Sequence, residues 1–467
     1  LDDPAILRGE GRYAGDEACE ATLHAVFIRS TAAAGRIVSI SAPDDVAIFT
    51  AENIPAKPIV PVLNRPDYVA VPTPILATDV VRFVGEPVAV VLGRTPSEAE
   101  DLAELVEVDI DSITPVLDWR VATRPDARPV HDAQFPGDPN TVVDGRITSP
   151  GFDELWASCD RHVEVQVVSN RQSAVPMETR GSVASFDRRS GRTTLTTSTQ
   201  MPHVVRTGIC DCLGIPASEL RVLAPDVGGA FGGKMALARE DVVLVHLART
   251  LRTDIAWVET RAENFMSAWH SREQVYRVAG GFVGTELVAL QADLVADVGA
   301  YSCYPVTYGV EPLMAMAELP GPYALREYSV RARAVLSNKC PIAPYRGVSR
   351  PVQTLAMERL MDTAALQIGV DRWELRRCNL VRDFPHRTPS GLVYDAGSYA
   401  EALDQAEQLC ARESLAERKA AARRRGRLLG QGVSVFSERT GYGSPAFAAR
   451  GMAITPGYER VEMDMDP

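Results

Sequence analysis

With 467 residues, 46% apolar and 6% aromatic, the chain is longer than one ordinary core requires, so two to four domains are expected. Its 49 Lys and Arg face 61 Asp and Glu; the resulting charge of −12 argues against a nucleic-acid partner and needs no cause beyond solubility. No stretch is long and apolar enough for a membrane span, no leader pattern opens the chain, and the eight cysteines include no Cys-x-x-Cys pair, so spacing shows neither a zinc ribbon nor a four-cysteine iron–sulfur cluster.

Residues 1–117 read as a small α+β unit. Alternating apolar positions predict strands over 21–28 and 36–41, with a third over 81–92 broken by Gly85 and Pro87. Thr95-Pro-Ser-Glu98 opens a helix to about Glu104, with Thr95 as cap, Pro96 at the first helical position and Glu98 reaching back. A strand over 106–110 follows. Residues 118–151 are rich in Pro, Asp and Gly without a period and read as a connector.

Strand-like text resumes over 152–187, where Arg161 to Val168 alternate between a wet and a buried face. Within it, Glu178 reads as a hydrogen-bonded structural acid. A strand over 193–199 and a helix containing 204–213 flank Gln200, whose neutral amide therefore stands at a strand end and offers an NH₂ donor without charge. Helix capping is its plainer role. His203 reads as an ordinary satisfied histidine, and Cys210 and Cys212 as packing residues.

The apolar run 220–224 then leads into Asp226-Val-Gly-Gly-Ala-Phe-Gly-Gly-Lys234, ahead of helical text over 235–251. Four glycines in six residues let backbone approach an anionic or metallic group, although a ligand-free tight turn uses the same residues. The loop fits most of a phosphate-binding P-loop, but Met235 replaces the hydroxyl that magnesium needs, and no Gly-x-Gly-x-x-Gly can be read. Further on, Pro341 and Pro344 shape a turn before Tyr345-Arg346-Gly347. An amphipathic helix is predicted over 350–369, with Met357, Leu360, Met361, Ala364 and Ile368 on its core face. Residues 383–395 are loop-rich, 398–425 read as one helix ending in a solvated arginine run, and 429–438 as a strand.

Four stretches in this order carry a resemblance: Ser198-Thr-Gln-Met-Pro-His203, Gly228-Gly-Ala-Phe-Gly-Gly-Lys234, Pro344-Tyr-Arg-Gly-Val-Ser-Arg-Pro351 and Glu374-Leu-Arg-Arg-Cys-Asn-Leu380. From about residue 8 onward the chain resembles the large, molybdopterin-binding subunit of the molybdenum hydroxylases: xanthine dehydrogenase, aldehyde oxidase and the aerobic carbon monoxide dehydrogenase-like enzymes. The resemblance implies an α+β multidomain fold. Its parts are an N-terminal α/β hammerhead domain at 1–117, the connector 118–151, a first molybdopterin-binding domain with mixed sheets and packed helices at 152–425, and the start of an incomplete second one at 426–467. Arg82-Phe-Val-Gly-Glu-Pro-Val88 matches a hammerhead signature, which makes Glu86 structural. Ser30-Thr-Ala-Ala-Ala-Gly35 departs from the family's histidine-containing stretch there.

The resemblance further implies a molybdenum–molybdopterin cofactor, with the cytosine dinucleotide among its forms and no direct protein ligand to the metal. Gln200 would hydrogen-bond the oxo ligand. Gly229, Gly232 and Gly347 would bring backbone to the cofactor, while Phe231 and Arg346 stand near the metal. Phe231, Met235 and Val348 would line the substrate pocket. Met235 replaces a purine-binding glutamate and Val348 a flanking aromatic, so purines are disfavoured; Gly347 replaces a copper-holding cysteine. The implied activity is oxidation of an aldehyde or N-heteroaromatic compound with water-derived oxygen. Electrons would pass to a small iron–sulfur subunit and an FAD-binding medium subunit, with a second molybdopterin-binding subunit as a further candidate partner. The general base lies outside this chain, making it half of a site, either as a split subunit or as a fragment. The cytoplasm is the expected compartment, with the periplasm open. A P-loop-like nucleotide-binding protein and a non-catalytic scaffold of the same fold remain as alternatives.

Overall fold

The computed structural model describes residues 3–438, apart from 20, 21, 62, 64, 133, 134, 136, 137 and 411. The expected beginning of a further strand near the C-terminus lies outside the described residues.

Two sheets organise the fold. The first has seven strands in the order Leu220–Leu223, Thr193–Thr197, Gly181–Phe186, Ile255–Val258, Leu23–Arg29, Pro87–Gly93 and Ile48–Phe49. Pro87–Gly93 is buried along most of its length, as its unbroken Val-Ala-Val-Val-Leu run requires of an interior strand. Leu23–Arg29 pairs parallel with Ile255–Val258, Leu23 opposite Ile255. The N-terminal unit is thus continuous, through one sheet, with residues that follow the expected connector. Helices Pro202–Leu213 and Arg239–Leu251 pack on this sheet over a core that includes Val243, Leu247, Ile209, Leu195 and Trp257. Cys210 and Cys212 are buried in it, as packing residues.

The second sheet runs Thr141–Thr148, Glu327–Leu336, Glu286–Gly299, Gln274–Val283 and Arg161–Ser169. Its pairs are antiparallel except Glu286–Gly299 with Glu327–Leu336, whose parallel register needs a crossover; helix Val310–Glu318 lies on that crossover. Helix Arg350–Ile368 packs across Arg161–Ser169 and Gln274–Val283. Met357, Leu360, Met361 and Ala364 are buried there with Ile368 against the same core, and Gly369 ends the helix in the left-handed region.

Several local expectations hold. Thr95 accepts from the Glu98 N–H at 3.1 Å, while the Glu98 carboxylate takes the N–H of Arg94, one residue before the cap. The break at Gly85 and Pro87 separates strands Val80–Val81 and Pro87–Gly93.

Three expectations are corrected. The stretch 118–151 is no irregular connector throughout: it contains helix Trp119–Ala122 and strand Thr141–Thr148, the latter an edge of the second sheet. Residues 398–425 form two helices, Tyr399–Leu409 and Leu415–Arg424, because the chain turns at Cys410 and passes through a 3-10 turn, Arg412–Ser414. Residues 429–438 form no strand, since no neighbour among the described residues supplies a hydrogen-bond ladder; Val433 and Val435 still turn to the core.

Arg376 is the largest fully buried side chain. Its Nε lies 2.9 Å from Glu358 and its Nη1 2.9 Å from Asp362, and Tyr323 donates its hydroxyl to the same Glu358. Removing the cation strands a buried carboxylate. Arg376→Leu is expected to lower the unfolding free energy by about 3–5 kcal/mol in a denaturant titration.

Candidate active site

The glycine loop is held at both ends by one carboxylate. Glu178 Oε2 accepts from Gly228 N–H at 2.8 Å, Ser198 Oγ at 2.7 Å and Lys234 Nζ at 2.7 Å. The acid is therefore structural, as its setting in the sequence indicated. The Lys234 side chain is only 1% exposed, and burial lowers its pKa against the pull of Glu178. A P-loop lysine has to reach phosphates, and a P-loop leads straight into a helix. Here the ammonium points inward and the next helix starts only at Arg239, so the nucleotide-binding reading fails on geometry.

The middle of the loop meets two other segments. Gln200 Oε1 accepts from the Gly232 N–H at 2.9 Å, and the Gln200 N–H donates to the Lys234 carbonyl at 3.0 Å. With its carbonyl oxygen committed, the exposed Gln200 side chain presents its NH₂ with no partner among the described residues. Gln200 is not the helix capper, since Met201 occupies that position without a side-chain cap.

On the other side, the Arg346 N–H donates to the Phe231 carbonyl at 2.9 Å. Gly232 has φ +103°, and a Cβ there would lie 2.1 Å from the Pro344 carbonyl oxygen. Only glycine lets these loops approach so closely. Phe231 and Val348, both at φ +54°, hold conformations costing on the order of 1–3 kcal/mol each. Gly229 and Gly347 adopt φ +96° and +88°, where a side chain would be strained.

Gln200, Gly229, Phe231, Gly232, Arg346 and Gly347 thus come together at three touching loops. Arg346 is exposed, and its guanidinium makes no ion pair or hydrogen bond among the described residues. Next to this junction is an apolar cavity of about 500 Å³, lined on this side by Met201, Met235, Pro344 and Val348 and opposite by Val310, Leu313 and Met314. Met235 and Val348 both line this cavity. Phe231 does not line it; its side chain stands 46% exposed beside Gly229 because its left-handed backbone turns it outward. His203 is exposed, and Glu86 is fully buried against Arg239 at 3.0 Å, a structural pair.

No group of three or more His, Cys, Asp or Glu among the described residues could hold a metal. The donor set instead suits a large anionic cofactor: backbone at left-handed glycines, one free amide donor and one unpaired guanidinium. Sequence reasoning missed Arg272, whose Nη2 donates to the Tyr345 carbonyl at 3.0 Å and also to that of Arg346. Its partners lie 73 and 74 residues away, beyond any local pattern.

The chain matches the family "Molybdopterin cofactor-binding domain" over residues 134–380 and "Aldehyde oxidase and xanthine dehydrogenase, a/b hammerhead domain" over 8–113. It is 33% identical to the nicotine 6-hydroxylase large subunit of Paenarthrobacter nicotinovorans, covering 96% of this chain and 56% of that one. It is 30% identical to the carbon monoxide dehydrogenase large chain of Hydrogenophaga pseudoflava, covering 95% and 58%. The structure of quinoline 2-oxidoreductase from Pseudomonas putida 86 superposes with a TM-score of 0.92 at 34% identity, covering 97% of this chain and 59% of that one. The chain therefore spans a little over half the length of these relatives.

Two predictions follow from the loop and its floor. Gly232→Ala should fold yet retain under about one tenth of the wild-type molybdenum in metal analysis, because its Cβ has to push Pro344 away. Gly233→Ala, whose Cβ would meet its nearest atoms at 3.3 Å, should retain most of it. Beneath Lys234, burial pushes the Asp241 carboxyl up to about 7, with Ser182 Oγ at 2.5 Å opposing and Glu240 adding to the rise. The folded chain thus keeps a proton that an ordinary Asp, at 3.8, has lost. Stability from this group is present below about pH 4 and is lost as pH rises toward 7. Asp241→Asn should flatten that slope in a pH series of thermal melts.

Proposed function

The chain belongs to the molybdopterin-binding large-subunit family of the molybdenum hydroxylases, and from that premise we propose that it is the molybdenum-cofactor half of a hydroxylase acting on an N-heteroaromatic compound. The observation that carries the proposal is the meeting of the Gln200 amide, the Phe231–Gly232 backbone and the Arg346 cation at the edge of an apolar cavity. The relatives named as nicotine 6-hydroxylase and quinoline 2-oxidoreductase support a ring substrate over an aldehyde.

When bound, the molybdenum cofactor supplies two-electron redox chemistry and the water-derived oxygen. This chain's residues supply position and charge. The Gln200 NH₂ would donate to an oxo ligand, held in place by its own carbonyl bond to Gly232. Arg346 would balance the cofactor's negative charge. Backbone at Gly229, Gly232 and Gly347 would lie against the cofactor. Met201, Met235 and Val348 would seat an apolar ring and exclude water, the thioethers being well suited to aromatic contact. By kinship with the family, the proton acceptor would come from residues beyond those described. Met235 in the cavity leaves a purine's polar edge unmatched.

Electron transfer through a small iron–sulfur subunit to an FAD-binding subunit, and a cytosine dinucleotide form of the cofactor, complete the proposal by kinship with relatives that are large subunits. No helix among the described residues is long and apolar enough to cross a membrane.

The test is metal analysis of the complex purified with its companion chains, followed by turnover of quinoline, pyridine and xanthine. Molybdenum on this chain with iron on a small companion, and oxidation of quinoline at least about tenfold faster than xanthine, is the expected result. Absence of molybdenum in the complete complex, or efficient purine turnover, overturns the assignment.

A further inference from the structure

The apolar cavity has two principal walls. One is the turn of Pro344 to Val348; the other is helix Val310–Glu318, which presents Val310, Leu313 and Met314. Behind both stands a single polar connection that sequence reasoning did not find.

Glu311, in the first turn of that helix, is fully buried. Its carboxylate accepts from the Gln274 side-chain amide at 2.6 Å, from the Arg272 N–H at 3.3 Å and from the Ser271 hydroxyl. These three donors fix the backbone of residues 271–274 against the helix. Arg272 itself sits at φ +67°, a left-handed conformation uncommon for a residue other than glycine. That backbone sends its side chain across to the turn, where the guanidinium stacks over the Tyr345 ring at 4.6 Å and donates to two successive carbonyls, Tyr345 and Arg346. A planar fork suits this task, since it presents several donors in fixed directions and stacks at the same time.

We propose that Arg272, anchored by Glu311, is a positioning residue that sets the spacing between the two cavity walls and so determines the width of ring the site accepts. The inference rests on the reading of this cavity as the substrate pocket. The strained backbone is consistent with the role, because such conformations persist only where surrounding contacts hold them. Arg272 touches the turn from behind, not the cavity, and acts on substrate only through Pro344 and Val348.

The test uses the complete co-purified complex, with quinoline as a bicyclic probe and pyridine as a monocyclic one. Dissociation constants for both are read by calorimetry and kcat/KM by turnover. Arg272→Met is expected to change the quinoline-to-pyridine ratio of dissociation constants by at least about fivefold, with Arg272→Lys intermediate because a single ammonium cannot both stack and chelate two carbonyls. Glu311→Gln, which keeps the shape and loses the charge, is expected to move the ratio in the same direction. Should Arg272→Met fail to fold, Glu311→Gln carries the test. A purely structural role would weaken both probes alike, so a ratio within about twofold of wild type overturns the proposal whatever happens to absolute activity. If the wild-type complex binds both probes but oxidises neither, the functional reading fails while the ratio still decides the strut. If it binds neither, the cavity is no ligand site and both fall.

Discussion

One carboxylate holds the candidate site together. Glu178 takes a backbone donor from the start of the glycine loop, an ammonium from its end and a hydroxyl from the strand end that leads to Gln200. Both feet of the loop are thereby tied to the segment that carries the amide. A loop closed in this way loses most of its conformational freedom before any ligand arrives, which lowers the entropic cost of ordering it on binding. Its middle is then free to face outward, and the Gly232 contact with Pro344 brings the Arg346 turn to the same place.

The floor beneath this clamp is ionic. Burial alone would raise the Glu240 carboxyl, but the Arg180 and Arg29 guanidiniums outweigh it and hold it down at about 2. Arg180 also pairs with Glu259, and Arg29 with Glu263. Replacing such a network by apolar side chains often leaves stability unchanged or improves it, so its value here is better sought in geometry than in energy. Arg180 precedes strand Gly181–Phe186, Glu259 follows Ile255–Val258 and Glu240 opens helix Arg239–Leu251. The network therefore fixes three elements at the end of the sheet from which the site loops emerge.

Much of this was legible because it is local. The glycine density, the strand-to-helix setting of Gln200, the capped helix after Thr95 and the methionine face of Arg350–Ile368 all announce themselves within a few turns of chain. What was missed depends on distant partners. Thr141–Thr148 is a strand because Glu327–Leu336 offers it a ladder, and the Pro and Gly around it hid an otherwise apolar Val-Val edge. Residues 429–438 have the right alternation yet lack such a partner. Phe231 was placed in the pocket by resemblance alone, whereas the cavity is lined without it and, at positive φ, its ring stands exposed. Arg272 carried no signal, since an arginine beside a strand reads as solvated until the carbonyls it meets are known.

An accounting of carboxylates bears on the division of labour within the enzyme. Glu178 accepts three hydrogen bonds, Glu311 accepts three, and Glu86 is committed to Arg239 and to the Arg82 N–H. A general base needs an unencumbered lone pair within hydrogen-bond reach of the proton it removes. Each of these three acids is committed to structural partners, and the cavity lining is mostly hydrocarbon and thioether with Thr307 and two arginines, of which Arg65 is paired with Asp67. The Gln200 amide and the Arg346 guanidinium thus stand as a neutral donor and a cation beside a largely apolar wall.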